Sequence, residues 1–311
     1  GVASLAGAVC MLAMSQAVDW RVLSLLAFIT GAINEAGHPA SAALVQDLVP
    51  PEHRVLGYAV QRFAVNLGWS LGPATAGFLA ERTQSFFWLF AVDAATSAAF
   101  GIIAWLFLPA GTRTAREQAG WGHAWRSIRQ NHAFLALFGA CICLAWCFRL
   151  TNTALPLHLE RSGLPLHLTG MILALNGVII CLFEVPLAMG LRQWPVKRVL
   201  ALGYILMASS YLIFFASSTL TAFVVMMTVF TVGEMCAFSR QQAYAASLSP
   251  EDMRGRYVGF LSLAWCAGNT ASSALGMPLY DHHPGILWVV NAALGVLAVF
   301  LILSSRRALA E

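Results

Sequence analysis

The sequence predicts an all-α integral membrane protein built from two related helical bundles, and three observations predict it. Hydrophobic residue types make up 59% of the 311 residues and charged types only 10%, whereas an ordinary soluble domain is about 25% charged. The apolar residues gather into ten runs, each close to the roughly 20 residues a helix needs to cross a bilayer. The chain also matches itself at a shift of 200 positions. Lipid is the solvent that tolerates such apolar outer faces, and a helix satisfies its own backbone hydrogen bonds within it.

The runs lie near 1–17, 21–46, 55–80, 84–108, 134–158, 168–190, 197–217, 219–246, 255–279 and 284–305. Most connections are short and hold Pro or charge, as in Pro50-Pro51-Glu52-His53 and Pro250-Glu251-Asp252. Residues 109–133 form the longest polar stretch and carry four Arg. They read as a linker between a first bundle, 1–108, and a second, 134–311, with Trp121 and Trp125 as interface anchors of a surface helix.

Charge sets the orientation. Twelve of the eighteen basic residues fall in connections on one side, including the linker and the C-terminus, and three (Arg21, Arg82 and Arg161) on the other. The base-rich side is expected to be cytoplasmic. Because most bases serve topology, the net charge of +4 does not indicate a nucleic-acid partner. The seven Cys lie within apolar runs without His or carboxylate at ligand spacing, so no metal is expected.

The repeat places Leu48-Val49-Pro50-Pro51-Glu52-His53-Arg54 on Leu248-Ser249-Pro250-Glu251-Asp252-Met253-Arg254. Gly68 then meets Gly268, Leu79 meets Leu279 and Trp88 meets Trp288 without a gap. If the second bundle begins near Ala133, its first-half counterpart starts some 67 residues before Gly1. That leaves room for two further spans, giving two pseudo-symmetric six-helix halves of which ten spans are present here. The expectation is an N-terminally truncated chain.

Gly68-x-x-x-Gly72-Pro73-x-x-Ala76-Gly77 resembles the motif that marks the fifth helix of drug/proton antiporters in the major facilitator superfamily. Asn176-Gly177, Glu184-x-Pro186 and Arg254-Gly255-Arg256-Tyr257-x-Gly259 are similar to the bacterial multidrug-efflux branch. The resemblance covers essentially the whole chain. It departs from the family at Ala27, where the fourth helix usually holds a buried Arg, and at Gly190–Arg198, which lacks the Asp of the signature loop. It implies a major facilitator fold in a bacterial inner membrane and proton-coupled efflux of small apolar or drug-like compounds by alternating access. A monomer is expected, with protons, a small-molecule substrate and lipid as partners, and no cofactor or enzymatic activity. A specific metabolite transporter and a non-transporting sensor or degenerate fragment are the alternatives.

An ionisable group inside hydrocarbon costs several kcal/mol unless paired or hydrated, which makes each one a functional candidate. Seven lie within runs: Glu35, Arg62, Asp93, Arg149, Glu184, Glu234 and Arg240. At about 1.5 Å of rise per residue, Arg149 and Glu234 sit level, roughly 20–22 Å from the cytoplasmic ends of their helices. Glu184 and Arg240 are shallower, at roughly 9–10 Å. Equal depth predicts the pairs Arg149–Glu234 and Glu184–Arg240. Arg149, Asn152 and Thr153 are expected to share one helix face. In the family the helices of Glu35, Arg149 and Glu234 line the central cavity, so these are the coupling candidates. Gly68, Gly72, Pro73 and Gly77 would bend and seal the outer side, and Arg54, Arg254 and Arg256 would act at the cytoplasmic gate. Asp93, on a peripheral helix, reads as structural, as does Arg62, which would brace its neighbouring helix.

Overall fold

The structure, a computed structural model, describes residues 2–17, 19–33, 54–107, 121–250 and 253–305. They divide into two compact units, 1–115 and 116–311.

In the first unit, α1 (Val2–Gln16) packs along α4 (Phe87–Phe107), and α2 (Trp20–Ile33) follows α1 directly. The long α3 (Arg54–Thr83) also touches α4 and runs unbroken through Pro73. The outward faces remain apolar, as at Phe100, Trp105 and Phe107. Water would not tolerate that surface, but lipid does.

The second unit opens with α5 (Trp121–Gln130), which lies inside the stretch expected to be a linker. Trp125 packs edge-on against Phe260, and Ser127 Oγ lies 2.8 Å from Tyr257 Oη, so α5 is fastened to α11 (Arg254–Ala271). Asn131 then caps α6 (His132–Leu150), accepting from the Phe134 amide at 3.0 Å. The remaining helices are α7 (Ala154–Arg161), α8 (Leu166–Gly190), α9 (Val196–Ser209, continuing as a tight 3₁₀ turn to Phe215), α10 (Leu220–Leu248), α12 (Met277–His282) and α13 (Pro284–Ser304). α9 packs on α10 and α13, α6 on α11 and α13, and α8 on α10. Phe134, Tyr204, Tyr211, Phe223, Tyr257 and Trp288 fill the space between them.

Two expected spans are interrupted. The run at 134–158 breaks at 151–153, between α6 and α7. Pro156 has no N–H for the Asn152 carbonyl and its ring crowds that carbonyl, so the helix cannot run straight through. The Thr151 hydroxyl instead donates back to the Phe148 carbonyl at 2.7 Å and that of Thr153 to the Arg149 carbonyl at 3.0 Å. The run at 255–279 widens into a π turn at Ser272–Gly276 just before Pro278. An extra residue in the turn makes room for a proline inside a helix.

Glycines set the close helix crossings. A Cβ on Gly203 would lie 2.7 Å from the Gly233 carbonyl oxygen, and one on Gly233 would lie 2.8 Å from the Gly203 carbonyl oxygen. α9 and α10 therefore meet backbone to backbone, as small residues allow in lipid. Gly268 seats α11 on α6 in the same way, 2.4 Å from the Ile142 carbonyl oxygen to the would-be Cβ. Its repeat partner Gly68, and Gly72, have no described atom within 4 Å of that position. The repeat partners Arg54 and Arg254 both lie in helices, α3 and α11.

Among the described residues, six helices are long and apolar enough to cross a membrane: Phe87–Phe107, His132–Arg161, Leu166–Gly190, Val196–Phe215, Leu220–Ala245 and Pro284–Ser304. Val2–Gln16 and Trp20–Ile33 are shorter apolar helices.

Candidate functional site

The polar groups of the second unit collect at two places, and neither is an ion pair of the predicted kind. On α8, Asn176 Nδ2 donates to Glu234 Oε2 at 2.7 Å and to Thr231 Oγ1 at 3.0 Å. Thr231 and Glu234 are three apart on α10, so one amide reaches both across the α8–α10 contact. The Thr231 hydroxyl in turn donates to the Met227 carbonyl at 2.7 Å. Asn176 is half-buried and Thr231 fully buried.

Arg149 points elsewhere. Its Nε donates to Ser273 Oγ at 3.2 Å, across to the π turn after α11. The same face of α6 is fixed by Trp146, whose carbonyl accepts from Ser272 Oγ at 3.1 Å. Arg149, Asn269, Thr270, Ser273 and Ala274 line an open depression of about 460 Å³. The predicted Arg149–Glu234 pair is thus corrected. Helical rise makes the two residues level, but the 100° turn per residue aims one at α11 and the other at α8.

The predicted Glu184–Arg240 pair is corrected as well. Arg240 Nη2 reaches the Ala188 carbonyl at 3.4 Å, one turn along α8 from Glu184. Asn152 does not share the Arg149 face, because the break at 151–153 turns its Nδ2 onto Thr151 Oγ1 at 3.2 Å. Arg256 is buried at the start of α11. Glu35 lies outside the described residues, and the side chains of Arg54, Arg62 and Arg254 are likewise outside the description. Gly68, Gly72, Pro73 and Gly77 all lie within α3, with Gly77 buried.

In the first unit, Asp93 lines a cavity of about 270 Å³ with Ser4, Thr30, Thr96 and Ser97. Four hydroxyl residues thus line a cavity together with one carboxylate, although Asp93 reads as structural from sequence.

Three further polar contacts escape the sequence. Buried Gln241 joins α9 to α6, accepting from Tyr204 Oη at 3.0 Å and donating to Cys141 Sγ at 3.2 Å. His158 on α7 bridges Tyr280 Oη at 2.9 Å and Ser218 Oγ at 3.1 Å within a ring of Phe214, Phe223 and Trp288. Beside it, Arg161 pairs with Asp281 at 2.6 Å and stacks over the Tyr280 ring. Each joins residues far apart in the chain, a relation that helical periodicity does not encode.

The geometry can be set against known proteins. The family profile described as Major Facilitator Superfamily matches residues 1–194 and 149–310. An uncharacterized MFS-type transporter of Bacillus subtilis (strain 168), YttB, is 24% identical over 90% of this chain and 71% of its own length. A Na(+), Li(+), K(+)/H(+) antiporter of Planococcus maritimus is 28% identical over 79% of this chain. The match spans 65% of that antiporter's own length, just under two thirds. Among solved structures, a POT family transporter in complex with 5-aminolevulinic acid superposes with a TM-score of 0.77 at 16% identity, covering 97% of this chain and 80% of the other. A bacterial homolog of the human lysosomal transporter Spinster, in an inward-facing conformation, gives 0.64 at 16% identity, covering 97% and 79%. With the fold and the family profile in agreement over nearly its whole length, the chain belongs to the major facilitator superfamily of membrane transporters.

Proposed function

We propose that the protein is a proton-coupled exporter of small, largely apolar compounds, working by alternating access in a bacterial inner membrane with the linker and C-terminus on the cytoplasmic side. The observation that carries this reading is the Asn176–Glu234 contact. An amide N–H can donate to a carboxylate and, more weakly, to the carbonyl oxygen of a carboxylic acid. Glu234 therefore keeps this partner through a cycle of proton loading and release. Its position well inside α10 suits a carrier rather than a surface charge. The linker and C-terminus assignment is supported by the clustering of bases on one side.

A second reading, monovalent cation/proton antiport, is favoured by a specific observation. Asp93 with the hydroxyls of Ser4, Thr30, Thr96 and Ser97 offers a hard, all-oxygen set in the first unit, and the Planococcus relative is a Na(+), Li(+), K(+)/H(+) antiporter.

One experiment separates them. The full-length protein is reconstituted in vesicles with an imposed proton gradient, and dye movement is compared with sodium-dependent recovery of internal pH. Dye movement that follows the gradient and ignores sodium supports export. Sodium-dependent pH recovery abolished by Asp93→Asn, without dye movement, supports antiport of the ion.

A further inference from the structure

Arg149 is a guanidinium far inside a membrane helix that the described residues leave without a carboxylate. Its side-chain hydrogen bond goes to a neutral hydroxyl, Ser273 Oγ, and uses one of five N–H donors. An arginine at such depth costs several kcal/mol unless something compensates its charge. The nearest carboxylate in depth, Glu234, is turned toward Asn176 on α8. Among the described residues no carboxylate supplies the counter-ion, a role that solvent or a bound anion can fill.

The surroundings are built to receive one. The π turn at Ser272–Gly276 pushes Ser273 out of the regular helix toward Arg149, and π turns of this kind recur at functional sites. Asn269 and Thr270, one turn earlier, line the same depression. The turn is itself anchored on α6, through Ser272 to the Trp146 carbonyl, and Gly276 lies so near the Trp146 ring that a Cβ there would sit 3.3 Å from it, so the turn is held in register. Ala274 completes the lining of the depression. A planar guanidinium with hydroxyl and amide donors beside it matches a carboxylate, which it can grip with two parallel N–H bonds.

We infer that Arg149, Ser273, Asn269 and Thr270 form a subsite for the carboxylate of the transported compound, making the substrates organic acids with an apolar body. The inference rests on the reading of the protein as an exporter and narrows its substrate class. The compound supplies the charge that Arg149 lacks and carries it across.

The test uses three probes with the same ring and different charge: phenylacetate, 2-phenylethanol and 2-phenylethylamine. Binding to the purified full-length protein in nanodiscs is measured by calorimetry without any proton gradient. Wild type is expected to bind phenylacetate about tenfold or more tightly than the alcohol, the scale of one charge-assisted bidentate contact. Arg149→Gln should reduce that preference to within about twofold, and Arg149→Lys should keep part of it. Ser273→Ala and Asn269→Ala serve as the test if Arg149→Gln does not fold, and each should weaken phenylacetate about threefold while leaving the alcohol unchanged. Equal binding of acid and alcohol by wild type would overturn the inference, as would a preference that survives Arg149→Gln or both of the milder variants. Because no gradient is present, loss of proton coupling with the acid preference intact would fail the export reading alone.

Discussion

Asn176 on α8 and Glu234 on α10 are joined by a 2.7 Å hydrogen bond in the middle of two membrane helices. The same amide holds Thr231 at 3.0 Å, so three residues from two helices form one polar joint. Removing the amide strands partly buried polar groups in an apolar setting. Asn176→Ala should lower stability by about 1–3 kcal/mol, read as a fall in the unfolding midpoint of the purified protein. Thr231→Val, which keeps the shape and loses one acceptor, should cost less.

The Gly203–Gly233 crossing brings two backbones into contact, so neither position has room for a methyl group. Gly203→Ala and Gly233→Ala should each destabilise by roughly 1–3 kcal/mol, the usual scale of overpacking. The double variant should fall short of the sum, because one displacement of α9 from α10 relieves both clashes. Thermal unfolding of the four proteins checks both statements.

Gly68 and Gly72 predict the opposite stability result. No described atom would meet a Cβ at either position, and alanine is favoured over glycine within a helix by roughly 1 kcal/mol. Gly72→Ala should therefore fold at least as well as wild type. If the glycine–proline motif acts in opening and closing, the same variant should transport more slowly, so stability and transport rate move in different directions.

His158 ties α7 to Tyr280 on α12 and to Ser218 in the turn before α10. Tyr280→Phe keeps the ring that packs on Trp288 and removes only the hydroxyl. It should cost about 1 kcal/mol, the net worth of one hydrogen bond. Asp281→Asn breaks the neighbouring Arg161 pair at the surface, where solvent screens it, and should leave the unfolding midpoint unchanged.

Much of the fold is legible in the sequence because lipid imposes one simple rule on helix length. The runs ending near Thr83, Phe107, Gly190 and Ser304 fall within a few residues of the observed helices. The shift of 200 anticipates that Arg54 and Arg254 both fall in helices, α3 and α11. The break at 151–153 is also readable from Pro156, whose effect apolarity alone does not show. What depth could not supply was direction. Arg149 and Glu234 are level, yet one faces α11 and the other α8, and azimuth is settled only when neighbouring helices pack. The Gly203–Gly233 contact and the Gln241 bridge lie further still from any local signal, because they join α9 and α10 or three separate helices.

The central claim is that Glu234 carries the coupled proton. The direct measurement is proton flux in vesicles containing the full-length protein and a pH-sensitive dye, on addition of a transported compound, for wild type and Glu234→Gln. Glutamine preserves size and the hydrogen bond to Asn176 after a flip of either amide, but it cannot take up or release a proton in the working range. The account predicts that wild type moves protons in response to the compound and that Glu234→Gln binds the compound without moving protons. Compound-driven proton movement of wild-type size in Glu234→Gln would contradict it.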